Sequence, residues 1–131
     1  MGSDRAGRWT VVGLLVAAAI VLSACGGGGG GSSSSGSAPL PKGAAAHDPT
    51  LLAGRTIFSQ QCASCHGVQG QGGVGPSFRG GRLLRDYPNP EAQVAFVSTG
   101  RGIMPAFSGI LTHTQIEQVV AYERTVLDAI K

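Results

Sequence analysis

Residues 62–66 read Cys62-Ala63-Ser64-Cys65-His66. Two thiols three positions apart, with an imidazole directly after them, form the C-x-x-C-H pattern of covalent haem attachment. Each thiol can add across one vinyl group of the porphyrin, and the histidine rises from the same short turn toward the iron. A bare C-x-x-C would equally suit a dithiol redox site, half of a zinc site or a disulfide. The chain has three cysteines in all, with neither a second C-x-x-C nor a distant His-His pair to complete a zinc set. No βαβ pattern surrounds the motif to suggest a thioredoxin-like fold. The reading is therefore one haem c, held through thioethers at Cys62 and Cys65, with His66 as an axial ligand.

Toward the N-terminus, Arg5 and Arg8 precede an apolar run from Val11 to Leu22 that ends in small residues, the pattern of an export signal. Leu22-Ser23-Ala24-Cys25 resembles a bacterial lipobox. On that resemblance residues 1–24 are a signal peptide and Cys25 is the lipidated mature N-terminus, anchored in the bilayer. An uncleaved anchor remains the alternative, although the near-apolar stretch from Trp9 to Ala24 is about 16 residues, short of the ~20 that span a bilayer. Either arrangement puts the remainder at the extracytoplasmic face of a bacterial membrane.

Residues 25–47 hold Gly26 to Gly31, Ser32 to Ser35 and then a Gly/Ala/Pro-rich stretch with few apolar side chains to bury. This segment is expected to be a solvated tether with an r.m.s. span of about 25 Å. What remains, 48–131, is one domain of about 84 residues, a size at which a single core is marginal without help. A large apolar macrocycle would supply that help.

Three main helices are expected in this domain. Asp48-Pro49 is an N-cap with proline at the first helical position, and Leu51, Leu52, Arg55 and Phe58 follow at helical spacing up to the motif. Asn89-Pro90-Glu91 repeats the start signal for a helix through Ala92, Val94, Ala95 and Val97, which Gly100 ends. Thr112/Gln115 and Thr114/Glu117 both satisfy the capping-box spacing before the apolar stripe Ile116, Val119, Val120, Val126, Leu127 and Ile130. No segment alternates as a strand would, so the fold class is all-α, with Gly67 to Arg85 as a long irregular loop.

The iron needs a sixth ligand. Met104 is the one methionine left once Met1 is removed with the signal, and it stands on the proline-stiffened stretch Gly102-Ile103-Met104-Pro105. A thioether opposite an imidazole favours ferrous iron and raises the reduction potential. His113 and His47 are the competing nitrogen ligands.

Together these residues resemble a class I monohaem cytochrome c of the short bacterial type, over about Pro49 to Ile130. The resemblance implies a small cytochrome c fold wrapped around the haem. It implies that Gly54 and Phe58 on the first helix pack against Tyr122 on the last. It also matches Gly75-Pro76 to the family's Gly-Pro, whose proline carbonyl accepts the second ring proton of the proximal histidine, here His66. Met104-Pro105-Ala106-Phe107 matches the distal ligand loop.

Two positions depart from the family. Phe78 stands where leucine is common, and Glu123 falls inside the apolar stripe of the last helix. An unpaired buried carboxylate is costly, so Glu123 is expected to reach a partner, with Arg55 the candidate.

The net charge of +3 includes the two signal arginines. Arg79, Arg82, Arg85 and Arg101 gather in segments expected to rim the haem, where propionate neutralisation accounts for them more simply than steering of an acidic partner. Nothing suggests nucleic-acid binding, a phosphate loop or a nucleophilic triad. The expected function is a monomeric, membrane-tethered one-electron carrier cycling Fe(II)/Fe(III), with membrane-bound redox donor and acceptor proteins as partners in a respiratory or photosynthetic chain. A dedicated haem subunit of an oxidase or dehydrogenase complex is the alternative, and a peroxidase or gas sensor with an open iron site is the third.

Overall fold

The computed structural model describes residues 36–131. The expected signal peptide, Cys25 and the Gly26–Ser35 part of the tether lie outside these residues.

Helix α1 (Pro49–Ile57) begins where the sequence places it, because Asp48 Oδ1 accepts from the N–H groups of Thr50 at 2.8 Å and Leu51 at 3.3 Å. It runs into a π-helical turn, Phe58–Cys62, and then into α2 (Ala63–His66), so the motif ends a nearly continuous helical rod. Helix α3 (Arg82–Asp86) is a single turn inside the stretch expected to be loop. Its start is held from far away: Asp128 Oδ1 accepts from the Leu83 N–H at 2.7 Å, a tertiary cap that local reading does not reveal. Helix α4 (Pro90–Thr99) carries the expected Asn89 cap, and Gly100 ends it at φ 67°, where glycine meets no Cβ penalty. Helix α5 (His113–Tyr122) uses Thr112 and Gln115 for its capping box, in preference to Thr114 and Glu117, and continues into a second π-helical turn, Glu123–Leu127. Among the described residues there is no β-strand, only an isolated bridge between Arg101 and Met104. The all-α expectation holds.

Helices α1 and α5 cross at Gly54. A Cβ there would collide with the Gln118 carbonyl and lie 2.8 Å from Tyr122 Cβ, so only glycine permits the approach. The close crossing lets Phe58 and Tyr122, both fully buried, meet at 5.7 Å between ring centroids. Ile116, Val119, Val120 and Leu127 complete the core from the α5 side.

The tether expected to run through His47 is not solvated along its whole length. Ala38 is buried in the core cluster, Arg55 Nε donates to the Ala38 carbonyl at 2.7 Å, and Tyr122 Oη donates to the Pro39 carbonyl at 2.7 Å. Two side chains from α1 and α5 thus strap residues 38–39 over the helix crossing. A one-turn 3₁₀ helix, Gly43–His47, leads from there into α1.

Candidate functional site

Cys62, Cys65 and His66 share the end of the α1–α2 rod, where the helix geometry sets them on successive positions of one turn. Cys62 is buried, Cys65 is exposed, and both thiols are unpaired. Burial pushes the Cys62 thiol well above its ordinary range, with smaller contributions from the charges of Glu123 and Cys65. A thiol held neutral in this way is a poor nucleophile for dithiol exchange. Among the described residues no group of three His, Cys, Asp or Glu side chains comes together.

The loop after His66 folds back on the helix end. The carbonyls of Cys65 and His66, orphaned where α2 stops, accept from the N–H groups of Gly75 at 2.9 Å and Gly72 at 2.8 Å. That return brings Pro76 to the imidazole, and His66 Nδ1 lies 3.0 Å from the Pro76 carbonyl oxygen. A carbonyl only accepts, so the proton is on Nδ1 and the lone pair on Nε2. Gly75 makes the approach possible: a Cβ there would lie 2.5 Å from His66 Cε1 and 2.7 Å from Nδ1. The other face of the ring stacks on Phe78 at 4.3 Å and 24°, and Phe78 in turn touches Phe58 at 6.2 Å. Phe78, in the place of a leucine, therefore joins the imidazole to the core through an aromatic ladder.

Met104 is half-buried and packs on the core cluster, while its neighbour Ile103 is exposed. The Arg101 and Met104 backbones exchange two hydrogen bonds, at 3.0 and 3.1 Å, closing a tight turn after Gly100. Phe107, buried, secures the far end of the loop with a backbone bond to Val97. Of the competing histidines, His47 is exposed, and His113 is exposed with its Nδ1 3.5 Å from Glu117 Oε1.

The family model described as cytochrome c oxidase, cbb3-type, subunit III, matches residues 49–122. The chain belongs to the cytochrome c family. As a class I monohaem cytochrome c it carries one covalently attached c-type haem, and it is an electron-transfer protein. The donor set fits that group: two thiols on one turn, an imidazole with Nε2 free, and a partly exposed thioether on a separate loop. This cytochrome c domain is 40% identical to cytochrome c6 of Nostoc sp. over 96 residues, which are 65% of the chain and 82% of that relative. It is 34% identical to the cbb3-type cytochrome c oxidase subunit FixP of Azorhizobium caulinodans over 91 residues, 64% of the chain but 30% of that longer protein. The crystal structure of cytochrome c6 from the diatom Phaeodactylum tricornutum matches with a TM-score of 0.50 at 31% identity, covering 56% of this chain and 90% of that one.

Glu123 is where the cytochrome departs from expectation. Arg55 is not its partner, because that guanidinium is turned away to the Ala38 carbonyl. The carboxylate accepts instead from Gln93 Nε2 at 2.9 Å. Gln93 Oε1 accepts in turn from Arg124 Nη1 at 3.2 Å, while Arg124 also donates to the Tyr87 carbonyl at 2.7 Å. Sequence reading missed Gln93. Its signal was its place one turn before the buried Val97 on α4, a position where an amide must find a partner. Burial raises the Glu123 carboxyl to about 8, and the bond from Gln93 offsets only part of that effect.

Three of the four arginines expected at a rim are occupied locally, and the fourth, Arg101, is exposed. Arg79 donates to the Gln69 carbonyl and Oε1, Arg82 pairs with Asp86 at 3.4 Å, and Arg85 donates to the Gly80 carbonyl.

Proposed function

We propose that this protein is a membrane-tethered one-electron carrier in which Cys62 and Cys65 form the thioethers and His66 and Met104 are the axial ligands. The observation that carries the reading is the His66–Pro76 bond, which presents Nε2 as the only ring lone pair and makes it a stronger donor. When bound, the haem supplies an iron that accepts and returns one electron. The chain's part is to keep its ligands still. Pro76 and Phe78 hold the imidazole from two sides, and the closed turn at Arg101 and Met104 presents the thioether from a short loop. With both axial positions filled by protein, substrates have no place at the metal, and partners exchange electrons through an exposed edge.

Export and lipidation at Cys25 hold the domain outside the cytoplasmic membrane, linked to the bilayer through the Gly/Ser-rich tether. The bilayer and membrane-bound redox proteins are then its neighbours, at effective concentrations that a short leash raises to about millimolar. The free leash is shorter than composition suggests, because residues 38–39 are strapped to the domain.

Spectra of the oxidised and reduced protein, before and after Met104→Ala, test the ligation. The sulfur-to-iron band is expected in the parent and absent in the variant; retention would overturn Met104 as the ligand. Metabolic labelling with fatty acid, lost in Cys25→Ser together with membrane association, tests the tether. The likeness to FixP favours a second reading, a haem subunit of an oxidase complex, for which stoichiometric co-purification with other subunits is the deciding measurement.

A further inference from the structure

Helix α4 buries two of its ten residues, Val97 and, one turn before it, Gln93. Val97 packs in the core cluster, whereas Gln93 is polar and is satisfied at both ends of its amide. Nε2 donates to Glu123 at 2.9 Å and Oε1 accepts from Arg124 Nη1 at 3.2 Å, so two successive residues of the last helical segment grip one side chain of α4. Gln93 and Glu123 are 2% and 3% exposed, and water cannot take the place of either partner. The same guanidinium donates to the carbonyls of Tyr87 at 2.7 Å and Pro88 at 3.4 Å, just ahead of the Asn89 cap. Of the two side chains that anchor α4, one is therefore held by hydrogen bonds and not by apolar packing.

The other end of α4 carries the Met104 loop, which leaves and rejoins a single turn of the helix. The Gly100 N–H donates to the Phe96 carbonyl at 2.8 Å, and the N–H groups of Phe107 and Ser108 donate to the Val97 and Ser98 carbonyls, each at 3.2 Å. Between these ties Arg101 and Met104 exchange their two backbone bonds, and the chain lies so close that a Cβ on Gly100 would be 2.5 Å from the Met104 carbonyl oxygen. A short loop fixed at both ends to one turn moves with that turn. The place of the thioether follows α4, and the place of α4 follows Gln93.

We infer that Gln93 is a positioning residue for Met104: its buried bonds to Glu123 and Arg124 hold α4 against the last helical segment, and the thioether gives up its place to an external ligand only when those bonds part and α4 moves with its loop. Gln93 acts through the helix and touches no reacting atom. The inference rests on Met104 as the sixth ligand.

Competition by imidazole for the ferric iron of the full haem protein tests it, read as loss of the sulfur-to-iron band. Gln93→Leu keeps most of the side chain's bulk and leaves Glu123 and Arg124 without their shared partner. A buried bond left unmade corresponds to about tenfold in an equilibrium, so imidazole is expected to bind the variant about tenfold more tightly than the parent. Tyr122→Phe loses a bond on the strap side of the same segment and is expected to bind imidazole as the parent does. Amide exchange in the parent adds a readout that needs no substitution: with imidazole bound, protection is expected to fall across α4 and residues 100–107 together, while α1 keeps its own. Equal affinity in Gln93→Leu and the parent, equal tightening in Tyr122→Phe, or faster exchange confined to residues 100–107 overturns the positioning role. A parent that lacks the sulfur-to-iron band overturns the Met104 ligation instead.

Discussion

His66 and Pro76 are ten residues apart, and a single hydrogen bond of 3.0 Å between Nδ1 and the carbonyl oxygen joins them. The bond exists because the glycine-rich segment 67–75 returns the chain to the end of α2, and because Gly75 has no side chain to strike the ring.

Gly75→Ala is accordingly expected to turn the imidazole off Pro76. A ligand deprived of that acceptor is less basic and stabilises ferric iron less, so the reduction potential should rise and the haem spectrum change. Potentiometry with visible spectroscopy reads both. An unchanged potential would mean that the Pro76 bond does not tune the metal.

Gly54→Ala should damage the fold and leave the haem chemistry of molecules that do fold intact. Its Cβ would fall on the Gln118 carbonyl and 2.8 Å from Tyr122 Cβ, forcing α1 and α5 apart. Overpacking of this kind costs about 1–3 kcal/mol. Denaturant unfolding measures the loss, and a midpoint equal to the parent's would show that the crossing is looser than the backbone contacts indicate.

Tyr122→Phe removes the hydroxyl that donates to Pro39 and retains the ring against Phe58. Loss of one hydrogen bond should cost about 0.5–1.5 kcal/mol. The sharper readout is local: amide exchange should accelerate at Ala38 and Leu40, the strap residues that carry an N–H, and not in α4. Uniform acceleration would argue against a separable strap.

Glu123 also sets a pH dependence of stability. Its carboxyl is raised to about 8 in the folded chain from an ordinary value of 4.5, so between those values the folded state binds more protons than the unfolded one. Stability is then flat below about pH 4.5, falls as pH rises toward 8, and levels beyond, with a limiting slope of about 1.4 kcal/mol per pH unit. Measured on the reduced protein, the slope should vanish in Glu123→Gln. A parent equally stable at pH 5 and pH 8 would show that the carboxyl is charged in the fold.

Much of this protein can be read locally. Asp48, Asn89 and Thr112 start their helices as capping chemistry dictates, since each acts on N–H groups two or three residues away. Helix α3 could not be read, because its cap is the side chain of Asp128, 45 residues downstream. The strap at residues 38–39 was hidden for a related reason: its anchors are backbone carbonyls, which every sequence has, captured by Arg55 and Tyr122.

The sequence alone determined the cofactor, through five consecutive residues whose spacing is set by one turn of helix, and the all-α class, through periodicity and caps. Tertiary structure alone decided the partners of long side chains. A buried carboxylate is satisfied by whichever donor the packing aims at it, and neither charge nor spacing along the chain could foretell that Gln93 would reach Glu123 while Arg55 turned to the strap.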